Sequence, residues 1–303
     1  MADLSVSICG ITFKNPVIAA SGTFGFGREY SEFVDLNRIG GVSVKGLTLE
    51  PRKGNAPPRI AETPAGILNS VGLQNPGVHA FIKNEIPFLR QFDTKIIANI
   101  AGNTIEDYCA MAEILGDQDI DAIELNVSCP NVKAGCVAFG STPHGISEVT
   151  GAVKKYCRHP LIVKLTPNVT DIREIAKAAE ASGADAISLI NTILGMAIDI
   201  HTRRPILANN TGGLSGPAVR PIAVRMVYEV AKSVKVPVIG MGGIASGDDA
   251  IEFILAGARA VMVGTANLVN PMACLDVIEG IEKYMDTYNF KRIDDIIGKV
   301  ELY

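Results

Sequence analysis

The sequence predicts an α/β fold, a (β/α)8 TIM barrel with a short N-terminal hairpin and long loops at the C-terminal face. Three observations carry this. Short runs of β-branched and apolar residues recur eight times, each followed by a polar turn and a helix-like stretch. The runs are nearly continuous in apolar residues rather than alternating, as in strands covered by helices outside and by a packed interior. The alternation occupies roughly 250 residues, the usual extent of such a barrel. An open doubly wound sheet is the competing reading of the same alternation.

The expected strands, in order, are PVIAA (16–20), GVSVKG (41–46), KIIANIAG (95–102), DAIELNVS (121–128), LIVKLTP (161–167), ADAISLINT (184–192), VPVIGMGG (236–243) and RAVMVGT (259–265). Amphipathic segments lie between them. In DIREIAKAAEAS (171–182), Ile172, Ile175, Ala176 and Ala179 share one face at the helical period. Asp171 and Glu174 fall in its first turn, and Thr170 is the expected N-cap. The opening LSVSICGITFKNP (4–16) reads as a hairpin turning at Cys9-Gly10 that closes the bottom of the barrel. The stretch from Leu47 to Pro76 is rich in Gly, Pro and Asn and lacks strong periodicity, so an irregular functional loop over the strands' C-terminal ends is expected. Further Gly- and polar-rich loops follow the fourth strand (129–145) and the sixth (191–217). No linker, low-complexity tract or repeat divides the chain, so one domain over residues 1–303 is expected.

Hydrophobic types make up 48% and charged types 20% of the 303 residues, which excludes a disordered tail, a collagen-like fibre and a coiled coil. Lys and Arg number 28 against 32 Asp and Glu, with no long run of either sign, which argues against a nucleic-acid or anionic-membrane surface. Neither a signal peptide nor a membrane span is visible, and the expected location is cytoplasmic. The six cysteines are scattered without a C-x-x-C pair and are expected as free thiols. The four histidines form no metal-ligand spacing, and no protein-bound metal is expected.

In a barrel, chemistry sits at the C-terminal ends of the strands. Those positions hold Ser21, Lys45, Asn99, Asn126, Cys129, Lys164, Asn191 and Thr192. Burying a lysine or an amide without a partner costs several kcal/mol, so such groups pair with each other as plugs or meet a ligand. GMGGIASGDDA (240–250) and VGTAN (263–267) place glycines after strands seven and eight, where backbone N–H groups can approach a phosphate. The plainer reading is that they only make turns. Cys129 lies just past a strand end, beside Asn126 and Asn131, where a thiolate assisted by Lys45 or Lys164 could take a proton. Its alternative is a small buried hydrophobe. Cys136 looks incidental.

Longer motifs accompany these positions: NPVIAASGTFG (15–25), SVKGLTLEPRKGNAPPR (43–59), GILNSVGLQNPG (66–77), ELNVSCPN (124–131), VKLTPN (163–168) and NTILGMAIDIHTRRPILANNTGGLSGPA (191–218). With GMGGI and VGTAN they span essentially the whole chain. Together they resemble class 1 of the dihydroorotate dehydrogenase family and, within it, the NAD-linked type 1B catalytic subunits. The resemblance implies an FMN-dependent oxidoreductase with one non-covalent FMN per chain. By position, the FMN phosphate would rest on Gly242, Gly243, Gly264 and Thr265 with Gly216 close by. Ser21, Lys45, Gly46, Asn99, Asn126, Lys164 and Ile190 would line the flavin, with Lys164 near its N1 edge. Substrate would meet Lys45, Asn69, Ser70, Val71, Gly72, Leu73, Asn126, Asn131, Asn191 and Thr192. Cys129 would remove a proton from C5 of dihydroorotate while hydride leaves C6 for flavin N5, giving orotate for pyrimidine (UMP) biosynthesis. Electrons would pass to a partner subunit carrying FAD and a [2Fe-2S] cluster and then to NAD+, in a heterotetramer of two plus two around a homodimer core. Four alternatives stay open: a fumarate-linked type 1A enzyme, a flavin domain like that of dihydropyrimidine dehydrogenase, a barrel aldolase with Lys164 as Schiff-base lysine, and a ligand-sensing barrel.

Overall fold

Eight parallel strands close into a barrel in the computed structural model, which describes residues 2–127 and 139–303. They are β1 Val17–Ala19, β2 Gly41–Ser43, β3 Lys95–Ile100, β4 Ala122–Asn126, β5 Leu161–Lys164, β6 Ala186–Leu189, β7 Val238–Met241 and β8 Ala260–Val263. Each lies inside its expected run. Neighbours follow chain order, and β8 pairs with β1, so the sheet has no edge and the open-sheet alternative falls away. β5 to β8 are buried at every residue because one face meets the barrel interior and the other meets helices.

The coating helices include Ile105–Leu115, Pro143–Lys154, Ile172–Ala181, Arg220–Ala231, Gly247–Ala256 and Ala273–Thr287. Ile172–Ala181 buries Ile172, Ile175, Ala176 and Ala179, as its periodicity requires. Its cap differs from expectation. Asp171, not Thr170, is the N-cap; its carboxylate accepts the Arg173 N–H at 2.9 Å. The Arg173 guanidinium also binds this carboxylate at 2.6 Å, a contact that Thr170 could not make.

The N-terminal hairpin pairs Val6–Ile8 with Ile11–Phe13 through a turn in which Cys9 and Gly10 both have positive φ (53° and 81°). Phe13 is fully buried, and the Cys9 thiol donates to the Asp185 carbonyl at 3.0 Å, just before β6 begins. The hairpin therefore closes the N-terminal end of the barrel.

The two long loops are irregular over most of their length but carry short strands. Ile60–Thr63 and Gly66–Asn69 form a hairpin, and Gly212–Ser215 and Ile193–Gly195 extend it to a four-stranded antiparallel sheet beside the barrel mouth. Ile198–Asp199 and Arg204–Pro205 make a second small ribbon. These strands hold two to four residues each, too short for a period to show. In the loop expected over 129–145, residues 143–145 already belong to the helix Pro143–Lys154, started by Pro143 and capped by the Thr142 hydroxyl on Gly145 N–H. Among the described residues no helix is long and apolar enough to cross a membrane.

Candidate active site

Side chains alternate in and out along a strand, so Glu124 and Asn126 of β4 share the barrel's inner face. The register sets Asn99 of β3 opposite Glu124, and Lys164 of β5 opposite Asn126. Glu124 is fully buried. Its Oε2 accepts from Ser43 Oγ at 2.8 Å and Asn99 Nδ2 at 2.6 Å, its Oε1 from Ser188 Oγ at 2.7 Å. Lys164 Nζ stands 4.0 Å from Oε2. A buried carboxylate is tolerable only with such compensation. This polar cluster is the floor of the site.

Above it opens a cavity of about 320 Å3. Ser21, Lys45, Gly46, Asn126, Lys164, Ile190, Asn191 and Thr192 line it from the strand ends. Asn69, Ser70, Val71, Gly72 and Leu73 line it from the end of the overlying hairpin and the turn after it, and Gly216, Gly242, Gly243, Gly264 and Thr265 form a further wall. Asn99 is fully buried directly behind this wall, its Nδ2 on Glu124 Oε2 and its Oδ1 3.4 Å from Nδ2 of the cavity-lining Asn126. Cys129, Asn131 and Cys136 lie outside the described residues.

The turn at 69–73 is held by amides. Asn55 donates to the Ser70 carbonyl at 2.8 Å, while Asn75 bridges Thr48 Oγ1 (2.8 Å) and the Leu73 carbonyl (2.7 Å). Ser70 Oγ is buried and has no hydrogen-bond partner among the described residues. A hydroxyl stranded on a cavity wall costs about 1–3 kcal/mol unless a ligand or water satisfies it. On the further wall, Thr265 Oγ1 donates to Ser215 Oγ at 2.8 Å, tying the end of β8 to the overlying sheet.

The glycines of the further wall divide into two kinds. Gly243 has φ +83°, and a Cβ there would stand 2.8 Å from both Arg220 Cβ and the Gly216 carbonyl oxygen, so the protein itself demands glycine. Gly264 carries no such demand: a Cβ there would meet only Ala20 Cβ at 3.6 Å and Thr23 Oγ1 at 3.9 Å, both on the cavity wall. The space beside Gly264 is open for a ligand.

Burial pushes the Lys45 ammonium below the ordinary lysine value, and the charges of Arg59 and Lys164 push it the same way. An anion bound beside Lys45 favours its protonated form. Affinity for a carboxylate ligand is therefore expected to fall as pH rises through the lowered Lys45 value, earlier than an ordinary lysine would allow, and Lys45→Met should abolish that limb. Ligand titrations across pH, monitored by absorbance, check this; an unchanged limb in the variant would exclude Lys45 as its source.

Glu124 is the residue that reading the sequence missed. The signal was present, an acid inside the apolar run DAIELNVS, where full burial is rare without partners. Ser43 and Ser188, its fully buried partners, sit likewise inside apolar runs. The other walls, among them Ile67, Leu214, Met241, Met262 and Leu268, carry no chemical signature in the sequence.

The family model described as dihydroorotate dehydrogenase matches residues 3–285. This chain belongs to the dihydroorotate dehydrogenase family. It is 70% identical over 298 residues to the "Dihydroorotate dehydrogenase B (NAD(+)), catalytic subunit" of Alkaliphilus oremlandii, covering 98% of this chain and 99% of that one. The protein of the same description from Bacteroides fragilis is 56% identical over 303 residues, covering 100% of both. Among solved structures, DHODH from Eimeria tenella, crystallised in complex with ferulenol, superposes with a TM-score of 0.81 at 25% identity, covering 98% of this chain and 88% of that chain. The dihydroorotate dehydrogenase fold thus agrees with the barrel described above.

Proposed function

We propose that this chain is a single-domain, FMN-dependent catalytic subunit that oxidises dihydroorotate to orotate in pyrimidine biosynthesis, with NAD+ as the final acceptor. The observation that carries the reading is near-full-length identity of 70% to a relative of that description, set beside a barrel-mouth cavity that gathers lysines, amides and an open glycine wall. The cavity suits FMN. Its lining includes the Lys45 and Lys164 side chains, the apolar Ile190, Met241 and Met262, and open space beside Gly264. Ser21, Gly46, Asn126, Lys164 and Ile190 would hold the ring system; Gly216, Gly242, Gly243, Gly264 and Thr265 the phosphate. When bound, the cofactor supplies the acceptor for the electron pair leaving substrate.

The chain's own residues do the rest. Lys45 neutralises the substrate carboxylate. Asn69, Ser70, Asn126, Asn191 and Thr192 orient the ring, since amides and hydroxyls match both donors and acceptors of a cyclic imide. Gly72 and Leu73 cover it, with Val71 beside them, and keep water out. Cys129 takes the proton at C5, and Asn131 is assigned to the same ligand by its motif. Electrons leave through a second subunit carrying FAD and a [2Fe-2S] cluster, in a cytoplasmic heterotetramer built on a homodimer of this chain.

The test is an assay of the isolated chain with dihydroorotate. It should reduce artificial dyes but form NADH only negligibly, and co-expression with the FAD and iron–sulfur subunit should restore NADH formation. Brisk NADH formation by the isolated chain, or efficient fumarate reduction, would sink the assignment of acceptor. Protein purified without flavin colour would instead favour an aldolase or a ligand-sensing barrel.

A further inference from the structure

The Asn168 side chain, at the end of the motif VKLTPN, binds the backbone on both sides of Ile193. Its Oδ1 accepts the Leu194 N–H at 3.0 Å, and its Nδ2 donates to the Thr192 carbonyl at 3.0 Å. A backbone N–H only donates and a carbonyl only accepts, so these two bonds settle which end of the amide is which. Ile193–Gly195 is the outermost strand of the four-stranded sheet beside the mouth, paired on its other side with Gly212–Ser215. Asn168 thus stands where a further strand would stand and satisfies part of an open edge. The amide is itself held from below. Thr166, buried just past the end of β5, accepts through Oγ1 from the Asn168 backbone N–H at 3.2 Å and from its Nδ2 at 3.1 Å.

These bonds leave Thr192 one group to turn. Its N–H donates to Asn191 Oδ1 at 2.9 Å and its carbonyl accepts from Asn168, so the hydroxyl is what it can offer a ligand. Gly213 makes room for that side chain. A Cβ on Gly213 would stand 2.6 Å from Thr192 Cβ and closer still to Thr192 Oγ1, although the backbone there needs no positive φ. Thr192 and Gly213 both line the cavity. We infer that Asn168 is a positioning residue for the substrate: it pins the backbone at Thr192 and, with the space left by Gly213, aims the Thr192 hydroxyl at the ligand. Asn168 is not among the residues that line the cavity, so it acts through Thr192 alone. The inference rests on the reading of Thr192 as a substrate residue given above; the hydrogen bonds do not.

Orotate binding to the FMN-loaded chain, followed by its perturbation of flavin absorbance, tests this. Asn168 is exposed, so water replaces part of what Asn168→Ala removes. Affinity should fall about three- to tenfold, the worth of one or two hydrogen bonds, with flavin content unchanged. Gly213→Ala should weaken orotate as well, because the new methyl pushes the hydroxyl aside. The deciding measurement is a double-mutant cycle. Thr192→Val removes the hydroxyl and keeps the shape, and in that background Asn168→Ala should change orotate affinity by less than about twofold. A penalty of the same size with and without the hydroxyl would mark a merely structural role and overturn the inference, as would wild-type affinity in Asn168→Ala. Should Asn168→Ala not fold, Asn168→Ser, too short to span both backbone groups, repeats the cycle. A wild-type chain that binds FMN but not orotate would overturn the substrate reading instead. Exchange of the Leu194 amide, followed by NMR, then decides the pinning by itself: it should be faster in Asn168→Ala than in the wild type, and equal rates would overturn it.

Discussion

Replacing Cys129 by Ala is expected to leave FMN bound and to slow bleaching of the flavin by dihydroorotate by about 10²–10⁴-fold, the worth of a positioned base. The position follows Asn126, which lines the cavity, by three residues in the chain. The thiols among the described residues are unsuited to the task. Burial pushes Cys9 and Cys157 up to about 11 and Cys274 up to about 12, and it raises Cys109 as well. None of these four lines the cavity. A base must ionise near working pH, and desolvation without a compensating cation works against a thiolate. Cys129→Ser should fall between wild type and the Ala variant and recover with rising pH, because a hydroxyl ionises far less readily than a thiol. Rapid mixing with dihydroorotate under anaerobic conditions gives the rate directly. A wild-type rate in the Ala variant would exclude Cys129 as the base.

The second large effect concerns the glycine wall. Gly264→Val should lose FMN while the barrel persists. The protein itself accepts a Cβ at this position, which meets nothing nearer than 3.6 Å and needs no positive φ. It fills the space assigned to the phosphate. Loss of two charge-assisted N–H contacts amounts to about 3 kcal/mol or more, roughly a hundredfold in affinity. Gly243→Val is the wrong instrument for this question, because its positive φ and its contacts with Arg220 and Gly216 would disturb the fold as well. Flavin content after purification reads one half of the expectation and circular dichroism the other. Full flavin occupancy in Gly264→Val would place the phosphate elsewhere.

The barrel is legible in the sequence because its signals are local. Eight apolar runs, each followed by a polar turn and an amphipathic stretch, need no knowledge of partners. Lys45, Asn126, Lys164 and Asn191 are legible for the same reason: a polar side chain at the end of an apolar strand is costly unless it is used. What depends on distant contacts is not. The sheet joining 60–69 to 193–215 is made of very short strands that acquire a period only when paired across more than a hundred residues. The N-cap at Asp171 turns on a local detail that residue preference alone does not weigh, the Arg173 guanidinium two residues on folding back onto it. Asn99 is recognisable as functional from its place at a strand end, yet whether it faces the ligand or the floor depends on a carboxylate one strand away. Residue types and their order along the chain determined which strands form and which polar groups reach the mouth. Only closure of the barrel decided who partners whom, because burial and hydrogen bonding of a side chain are set by neighbours from other strands, far away along the chain.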